Sequence, residues 1–243
     1  MRAFLVALQF LTSLPVHLGA APDEREIGRS LAWYPVVGLL LGGVLLLAAS
    51  TLGGAPPLLG AALLLTLWVL LSGGLHLDGL VDSADAWVGG LGERDRTLAI
   101  MKDPCCGPAG VVAVVLLLLL KFSALYTLLE TTSLAALLLA PALGRMVLPL
   151  LFLTTPYVRR QGLGSALATH APLRLVMLIG IAVLAVLALL VKGNLLWPLV
   201  TTVSLFLVLR TMTMRRLDGM TGDVAGALVE VVEAAVLITV VLI

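Results

Sequence analysis

Long apolar runs constrain this sequence more than any other feature. Hydrophobic residues make up 60% of the 243 residues and charged residues only 12%, and the mean hydropathy is +1.14. These values lie far outside the range of soluble domains. Runs long enough to span a bilayer as helices occupy 34–52, 56–72, 110–129, 133–153, 172–191, 195–209 and 224–243. The sequence therefore predicts an all-α, polytopic integral membrane helix bundle with about seven transmembrane helices in a lipid bilayer.

The first 16 residues superficially resemble a signal peptide, because Arg2 is followed by an apolar run that ends at Pro15. Gln9, Thr12 and Ser13 interrupt that run. We therefore expect a short N-terminal helix that lies at the interface or packs on the bundle. Residues 17–33 read as a polar connection to the first span, and the whole chain, 1–243, reads as one membrane-embedded domain.

The basic residues are concentrated in alternate loops, although the net charge is only +1. That small charge argues against nucleic-acid binding. The basic residues of these loops are Arg2, Arg25, Arg29, Arg94, Arg96, Lys102, Arg159, Arg160, Arg174, Arg210, Arg215 and Arg216. By the positive-inside rule, the N-terminus and these loops face the cytoplasm, which indicates the cytoplasmic (inner) membrane. Cys105 and Cys106 lie on this reducing side, where we expect neither a disulfide nor a metal site.

An acidic segment, GGLHLDGLVDSADAW at 73–87, follows the second apolar run directly. Asp78, Asp82 and Asp85 are spaced i, i+4, i+7, so in a helix they share one face within roughly 60°. Carboxylates so close repel one another, and a divalent cation relieves the repulsion. Hard oxygen ligands suit Mg²⁺ or Mn²⁺, whose usual partners are substrate phosphates. The alternative is a solvated helix start, where acidic residues favour the helix dipole.

The second half of the same connection carries Arg94, Arg96, Lys102 and Asp103. Cations beside a carboxylate cluster neutralise phosphate oxygens that a metal does not reach. A plain cytoplasmic loop would also carry such cations under the positive-inside rule.

Charged residues also occur within or beside the apolar spans. Arg145 needs a carboxylate or phosphate partner at membrane depth, whereas we expect Lys121 to extend toward the interface. Arg159 and Arg160 precede two glycines, a pattern that suits either anion binding or an ordinary membrane-surface loop.

The last apolar run begins with a second acidic group. Asp223 and Glu230 are seven residues apart and share a helical face, and Glu233 follows. Carboxylates at this depth indicate either a functional site or pairing with Arg145 or Lys121 for packing alone.

Taken together, the motifs resemble the cobalamin synthase family, the adenosylcobinamide-GDP ribazoletransferases. They are FLTSLPV at 10–16, WYPVVGLLLG at 33–42, GGLHLDGLVDSADAW at 73–87, AIMKDPCCGPAGV at 99–111, KFSAL at 121–125, GRM at 144–146 and GMTGDVAGALVEVVE at 219–233. Two positions depart from the family pattern, Ser13 and the run from Pro104 to Gly110.

The resemblance implies transfer of cobinamide phosphate from adenosylcobinamide-GDP to α-ribazole or its 5′-phosphate, with release of GMP. Asp78, Asp82 and Asp85 would then bind Mg²⁺, with Lys102 on the diphosphate. Asp103, Asp223 and Glu230 would complete a second metal site or supply the base, for which Asp82 and His76 are alternatives. The candidate substrate-binding cations are Arg94, Arg96, Arg145, Arg159 and Arg160.

Two other classes share some of these features. A CDP-alcohol phosphotransferase also has membrane-embedded aspartates, but its further aspartate spacing does not occur here. A cation-coupled transporter would place carboxylates near the bilayer midplane in repeated or broken helices. An oligomeric assembly is compatible with the sequence.

Overall fold

In a computed structural model of the protein, the described residues are 1–131, 134–159, 163–191 and 195–243. Their secondary structure is almost entirely helical, which confirms the all-α prediction; one isolated β-bridge joins Tyr157 to Met220. The α-helices are α1 Arg2–Leu11, α2 Glu24–Ser30, α3 Tyr34–Thr51, α4 Pro57–Ser72, α5 Leu75–Gly89, α6 Arg94–Ile100, α7 Pro108–Thr131, α8 Ala136–Thr154, α9 Leu163–His170, α10 Leu173–Leu190, α11 Leu196–Leu217 and α12 Gly222–Leu242.

Within the four described ranges, six helical stretches are long and apolar enough to cross a membrane. They are the continuous α2–α3 stretch, α7, α8, α10, α11 and α12, and the bent pair α4–α5 would make a seventh. The protein is therefore an integral membrane protein, as predicted. Helix α11 continues to Leu217, past the predicted end at 209, and stops where Asp218 adopts a left-handed conformation at φ 57°.

The polar connection expected at 17–33 is helical from Glu24 onward. Asp23 accepts a hydrogen bond from the Glu26 backbone N–H at 2.7 Å, and the Glu26 side chain accepts one from the Asp23 N–H at 3.1 Å. This reciprocal capping box starts α2, which runs through a 3₁₀ turn at Leu31–Trp33 into α3. The short helices α6 and α9 were likewise read from the sequence only as loop.

Helix α8 lies at the centre of the bundle and packs against α3 and α12. Gly42 of α3 lets the two backbones approach closely, since a Cβ there would sit 2.6 Å from the Leu137 carbonyl oxygen. Small residues at such crossings are the usual means of close packing between membrane helices. The outer helices instead expose leucines, as at Leu189, which is 81% exposed.

The chain direction places several helix ends at one end of the bundle. If α7, α8, α10, α11 and α12 each cross the membrane once, then the start of α7, the end of α8, the end of α11 and the start of α12 share one side. Contacts of α5 with α7 and α12, and of α6 with α11, place the acidic segment at the same end.

Candidate active site

The acidic helix α5 begins at a sharp bend. Gly73 and Gly74 are both left-handed, at φ 64° and 70°, a conformation that costs glycine little. The two residues end α4 and turn the chain so that α5 lies at 88° to it. Asp78 is exposed and Asp82 and Asp85 are partly buried on this helix, so the predicted helical spacing of the three carboxylates is present.

Helix α12 begins directly against α5. Thr221 caps α12, because its hydroxyl accepts a hydrogen bond from the Val224 N–H at 3.3 Å. Gly79 makes the close approach possible, since a Cβ there would lie 2.7 Å from the Asp223 carbonyl oxygen. The charges of Asp78, Asp85, Asp223 and Arg159 all act on Asp82. Asp223 therefore joins the three aspartates of α5 in one acidic cluster.

Arg159 lies beside this cluster and is held there by the chain after α8. The Val158 N–H donates to the Met220 carbonyl at 2.9 Å, and the Met220 N–H donates to the Pro156 carbonyl at 2.8 Å. This short bridge fixes the next residue, and Arg159 Nη2 donates to Asp223 Oδ2 at 2.6 Å. Its Nε is buried and has no hydrogen-bond partner within the described ranges. Arg159 therefore retains a donor that suits an anion.

Asp85 connects α5 to the loop before α7. Its Oδ2 accepts a hydrogen bond from the Gly107 N–H at 2.8 Å, and its Oδ1 accepts one from the Gly110 N–H at 2.9 Å. Both donors lie at the start of α7, where backbone N–H groups lack intrahelical partners. The run from Pro104 to Gly110, which departs from the family pattern, therefore has a structural role, because its backbone binds Asp85 of α5.

Lys102 and Asp103 lie in the same loop and are exposed. Asp103 Oδ1 accepts a hydrogen bond from the Cys105 N–H at 2.9 Å. Met101, just before them, contacts both sides of the site: its carbonyl accepts from Arg159 at 3.4 Å and its sulfur from Thr221 at 3.6 Å. Lys102 is thus next to a residue that touches the site, although it does not line the cavity described below.

A cavity of about 310 Å³ opens beside the acidic cluster. Its polar lining comes from His76, Asp78, Tyr157, Arg159 and Asp223. His76 is only 4% exposed, and its Nδ1 has no hydrogen-bond partner in the part of the chain that is described. Burial raises the pKa of Tyr157, despite the opposing charge of Arg159, so that its phenol stays a hydrogen-bond donor.

Glu230 and Arg145 lie elsewhere, in a buried ion cluster. Lys121 Nζ donates to Glu230 Oε2 at 2.6 Å and to Glu233 Oε2 at 2.5 Å, and Arg145 pairs with Glu233 Oε1. All four side chains are at most 4% exposed. The expectation that Glu230 binds a metal and Arg145 a substrate does not fit this placement, because their charges already neutralise one another. Lys121 is enclosed in this cluster, so the expectation that it extends toward the interface is wrong.

The other predicted cations are distributed around the site. Arg94 is exposed and bonds the end of α11, with Nε donating to the Leu217 carbonyl at 2.9 Å. Arg96 is exposed on α6. Arg160 lies outside the described residues.

Four aromatic residues that also line the cavity were not predicted as site residues: Phe10, Tyr34, Phe152 and Tyr157. Phe10 and Tyr34 belong to the motifs FLTSLPV and WYPVVGLLLG, but neither motif indicates a role for its ring. Aromatic residues scattered over separate apolar segments are indistinguishable from ordinary membrane-helix residues until the fold brings them together.

The donors fit Mg²⁺ by chemistry, since they are carboxylate oxygens. Within the described ranges, no three His, Cys, Asp or Glu side chains converge closely enough to hold a metal ion by themselves. This does not count against Mg²⁺, which usually binds through one or two carboxylates together with substrate phosphates and water.

The fold and the site define a class of protein: a polytopic membrane protein with a carboxylate cluster, an arginine and a cavity at one end of its helix bundle. The family model described as "Cobalamin-5-phosphate synthase" matches residues 3–241. The chain belongs to this family.

Several curated relatives carry the name adenosylcobinamide-GDP ribazoletransferase. One from Pseudomonas fluorescens is 58% identical over 245 residues, covering 100% of both chains. One from Pseudomonas paraeruginosa is 58% identical over 98% of this chain and 97% of its own. One from Pseudomonas putida is 54% identical over 98% of each. No solved structure matches the chain.

Proposed function

We propose that the protein transfers cobinamide phosphate from adenosylcobinamide-GDP to a ribose hydroxyl of α-ribazole or of its 5′-phosphate, in an Mg²⁺-dependent reaction. The observation that carries the proposal is the meeting of Asp78, Asp82 and Asp223 with Arg159 at the edge of a cavity. Membership of the family and the names of the relatives support the choice of reaction over the CDP-alcohol phosphotransferase and transporter alternatives.

The transfer forms one bond and breaks one. The ribose hydroxyl oxygen bonds to the phosphorus attached to cobinamide, and the bond from that phosphorus to the bridging oxygen of the diphosphate breaks. GMP leaves with the bridging oxygen, and the hydroxyl proton passes to a base of the protein. In such reactions the protein mainly positions the reactants and stabilises charge on the phosphate oxygens.

The described contacts suggest a role for each residue. Arg159, which lines the cavity, would bind a phosphate oxygen through its guanidinium, and Lys102, on the adjoining exposed loop, would neutralise the diphosphate. Asp78, Asp82 and Asp223 would hold Mg²⁺, which supplies charge neutralisation on the diphosphate. Asp85 remains a candidate ligand, although both its oxygens already accept hydrogen bonds from the loop before α7.

His76 is our choice for the base among Asp82, Asp103 and His76. Only His76 of these three lines the cavity, and its Nδ1 has no partner in the described ranges. A base must lie within hydrogen-bond reach of the hydroxyl it deprotonates, and the acceptor hydroxyl must lie next to the cavity.

The basic loops place this end of the bundle on the cytoplasmic side of the inner membrane under the positive-inside rule. Arg94, Arg96, Lys102, Arg159, Arg215 and Arg216 all belong to segments at this end. Both substrates would therefore enter from the cytoplasm.

The test is GMP release by the purified protein in lipid nanodiscs, with adenosylcobinamide-GDP, α-ribazole and a series of Mg²⁺ concentrations. Asp82→Asn should lower kcat/KM at least about 100-fold and shift the Mg²⁺ dependence, because it removes one ligand charge and keeps the volume. Asp95→Asn is the matched control, since Asp95 is 94% exposed on α6. Wild-type protein that releases no GMP would overturn the reaction, and Asp82→Asn with unchanged Mg²⁺ dependence would overturn the metal assignment.

A further inference from the structure

The cavity beside the acidic cluster has an aromatic wall. The rings of Phe10 and Tyr34 stack with centroids 6.2 Å apart and 21° between their planes, and those of Phe152 and Tyr157 with 6.0 Å and 24°. All four residues line the cavity. They come from α1, α3, α8 and the segment after α8, so the wall exists only in the assembled fold. Aromatic surfaces of this kind bind flat ring systems by stacking.

The polar and apolar linings come from different elements. Helices α5 and α12, with Arg159, contribute the carboxylates and His76, whereas α1, α3 and α9 contribute rings and the leucines Leu163 and Leu167. The Tyr34 hydroxyl is already engaged by Ser30. A matching ligand therefore has a flat apolar part and a hydroxylated part, which is the chemistry of a riboside with an apolar base.

The volume of about 310 Å³ is at the small end of the range for ligand cavities, which begins at about 300 Å³. It suits one nucleoside and excludes a corrin ring with its adenosyl group. Of the two nucleoside parts in the proposed reaction, guanine presents N–H groups and a carbonyl that need polar partners when buried. The base of α-ribazole presents no N–H group.

We infer that this cavity is the binding site for the riboside acceptor, α-ribazole. The base lies against Phe152 and the Phe10–Tyr34 pair, and the ribose lies toward Asp78, Asp223 and His76, where its hydroxyl meets the phosphate. This assignment rests on the proposed function for the identity of the ligand. It makes Phe152 and Leu163 specificity-determining residues.

Two variants test the assignment in nanodiscs. Leu163→Trp fills the cavity from a residue that is 50% exposed, so no core packing is lost, and Phe152→Ala removes a stacking ring. Leu189→Trp is the matched control, since Leu189 is 81% exposed on the outer surface of α10. Calorimetric titration with α-ribazole alone measures binding without turnover, and initial rates of GMP release give the KM for each substrate.

We expect both cavity variants to weaken α-ribazole binding and raise its KM about 10- to 100-fold. Phe152→Ala removes a base–aromatic stack, and the indole of Leu163→Trp occupies space that the ligand needs. The KM for adenosylcobinamide-GDP should stay within about twofold, and Leu189→Trp should match the wild type. A rise in the KM for adenosylcobinamide-GDP instead, or displacement of α-ribazole by GMP, would overturn the assignment in favour of guanosine. A wild type that binds α-ribazole in this cavity but releases no GMP would support the cavity and overturn only the proposed reaction.

Discussion

Replacing Glu233 by glutamine should destabilise the bundle more than any other removal of a single carboxylate in the described chain. Glu233 is fully buried and contacts both cations of the ion cluster, with Oε2 2.5 Å from Lys121 Nζ and Oε1 paired with Arg145. Of the two cluster cations, Glu230 forms an ion pair with Lys121, at 2.6 Å. The glutamine keeps the volume, so its effect isolates the charge.

The expected loss in the free energy of unfolding follows from which carboxylate partners each cation keeps in the variant. After Glu233→Gln, Lys121 keeps Glu230, but Arg145 is buried without its partner, a situation that costs about 3–5 kcal/mol. After Glu230→Gln, Lys121 keeps Glu233 and Arg145 keeps its direct partner Glu233, losing only the more distant charge of Glu230. The loss is therefore nearer that of one charged hydrogen bond, about 1.5–3 kcal/mol. The structure therefore predicts an order as well as a magnitude.

The free energy of unfolding in mixed micelles, followed by tryptophan fluorescence, measures both effects. Glu130→Gln is the control, since Glu130 is exposed on α7 and accepts a hydrogen bond from the Tyr126 hydroxyl at 2.6 Å rather than pairing with a buried cation. The double variant Arg145→Met with Glu233→Gln should recover much of the loss, because no buried charge is left unpaired. Equal stability of Glu233→Gln and Glu130→Gln, or the reverse order of Glu230 and Glu233, would refute the reasoning.

Two further predictions concern the loop between α6 and α7. Asp85→Asn loses one of two hydrogen bonds to the start of α7, so stability should fall by about 1–2 kcal/mol and proteolysis of the loop should accelerate; an unchanged cleavage rate would contradict the role of Asp85. The hydrogen bond and charge of Asp103 raise the pKa of the Cys105 thiol, so less thiolate is present at a given pH. In a Cys106→Ser background, an impermeant maleimide should label Cys105 only from the cytoplasmic side. Asp103→Asn should make this labelling faster, and the difference in rate should narrow as the pH rises. Equal labelling rates at all pH values would contradict the effect of Asp103, and labelling from outside would contradict the orientation.

The sequence predicts the spanning helices well because hydrophobic length is a local property. The run 34–52 became α3, Tyr34–Thr51, and 172–191 became α10, Leu173–Leu190. Helix α2 was not predicted, although the Asp23 and Glu26 capping box that starts it is a readable local signal. The bend between α4 and α5 was not predicted either, because two adjacent glycines mark a break but not its angle.

The site could be predicted only where its residues lie on one helix. The spacing of Asp78, Asp82 and Asp85 predicts an acidic face on one helix. The position of Asp223 beside that face could not be predicted, because it depends on the close approach of α12 to Gly79 of α5, and these two helices are distant in sequence. From the sequence, Glu230 could belong to a functional site or pair with a buried cation. The packing of α7, α8 and α12 decides for the ion pair with Lys121. The aromatic wall could not be predicted, since its four rings come from separate segments and the motifs that contain Phe10 and Tyr34 do not show that these rings meet.

The ion cluster also bears on how the protein is made. Lys121 and Arg145 belong to α7 and α8, but both of their counter-ions are on α12, which follows both helices in the chain and is synthesised after them. Until then two cations reside in the bilayer, each at a cost of about 2.5–3.5 kcal/mol on insertion scales. Synthesis therefore passes through an intermediate in which these two cations lack their counter-ions, and insertion of α12 completes the charge balance. A nascent chain that stops before α12 therefore holds two uncompensated cations in lipid, at the combined cost of both charges.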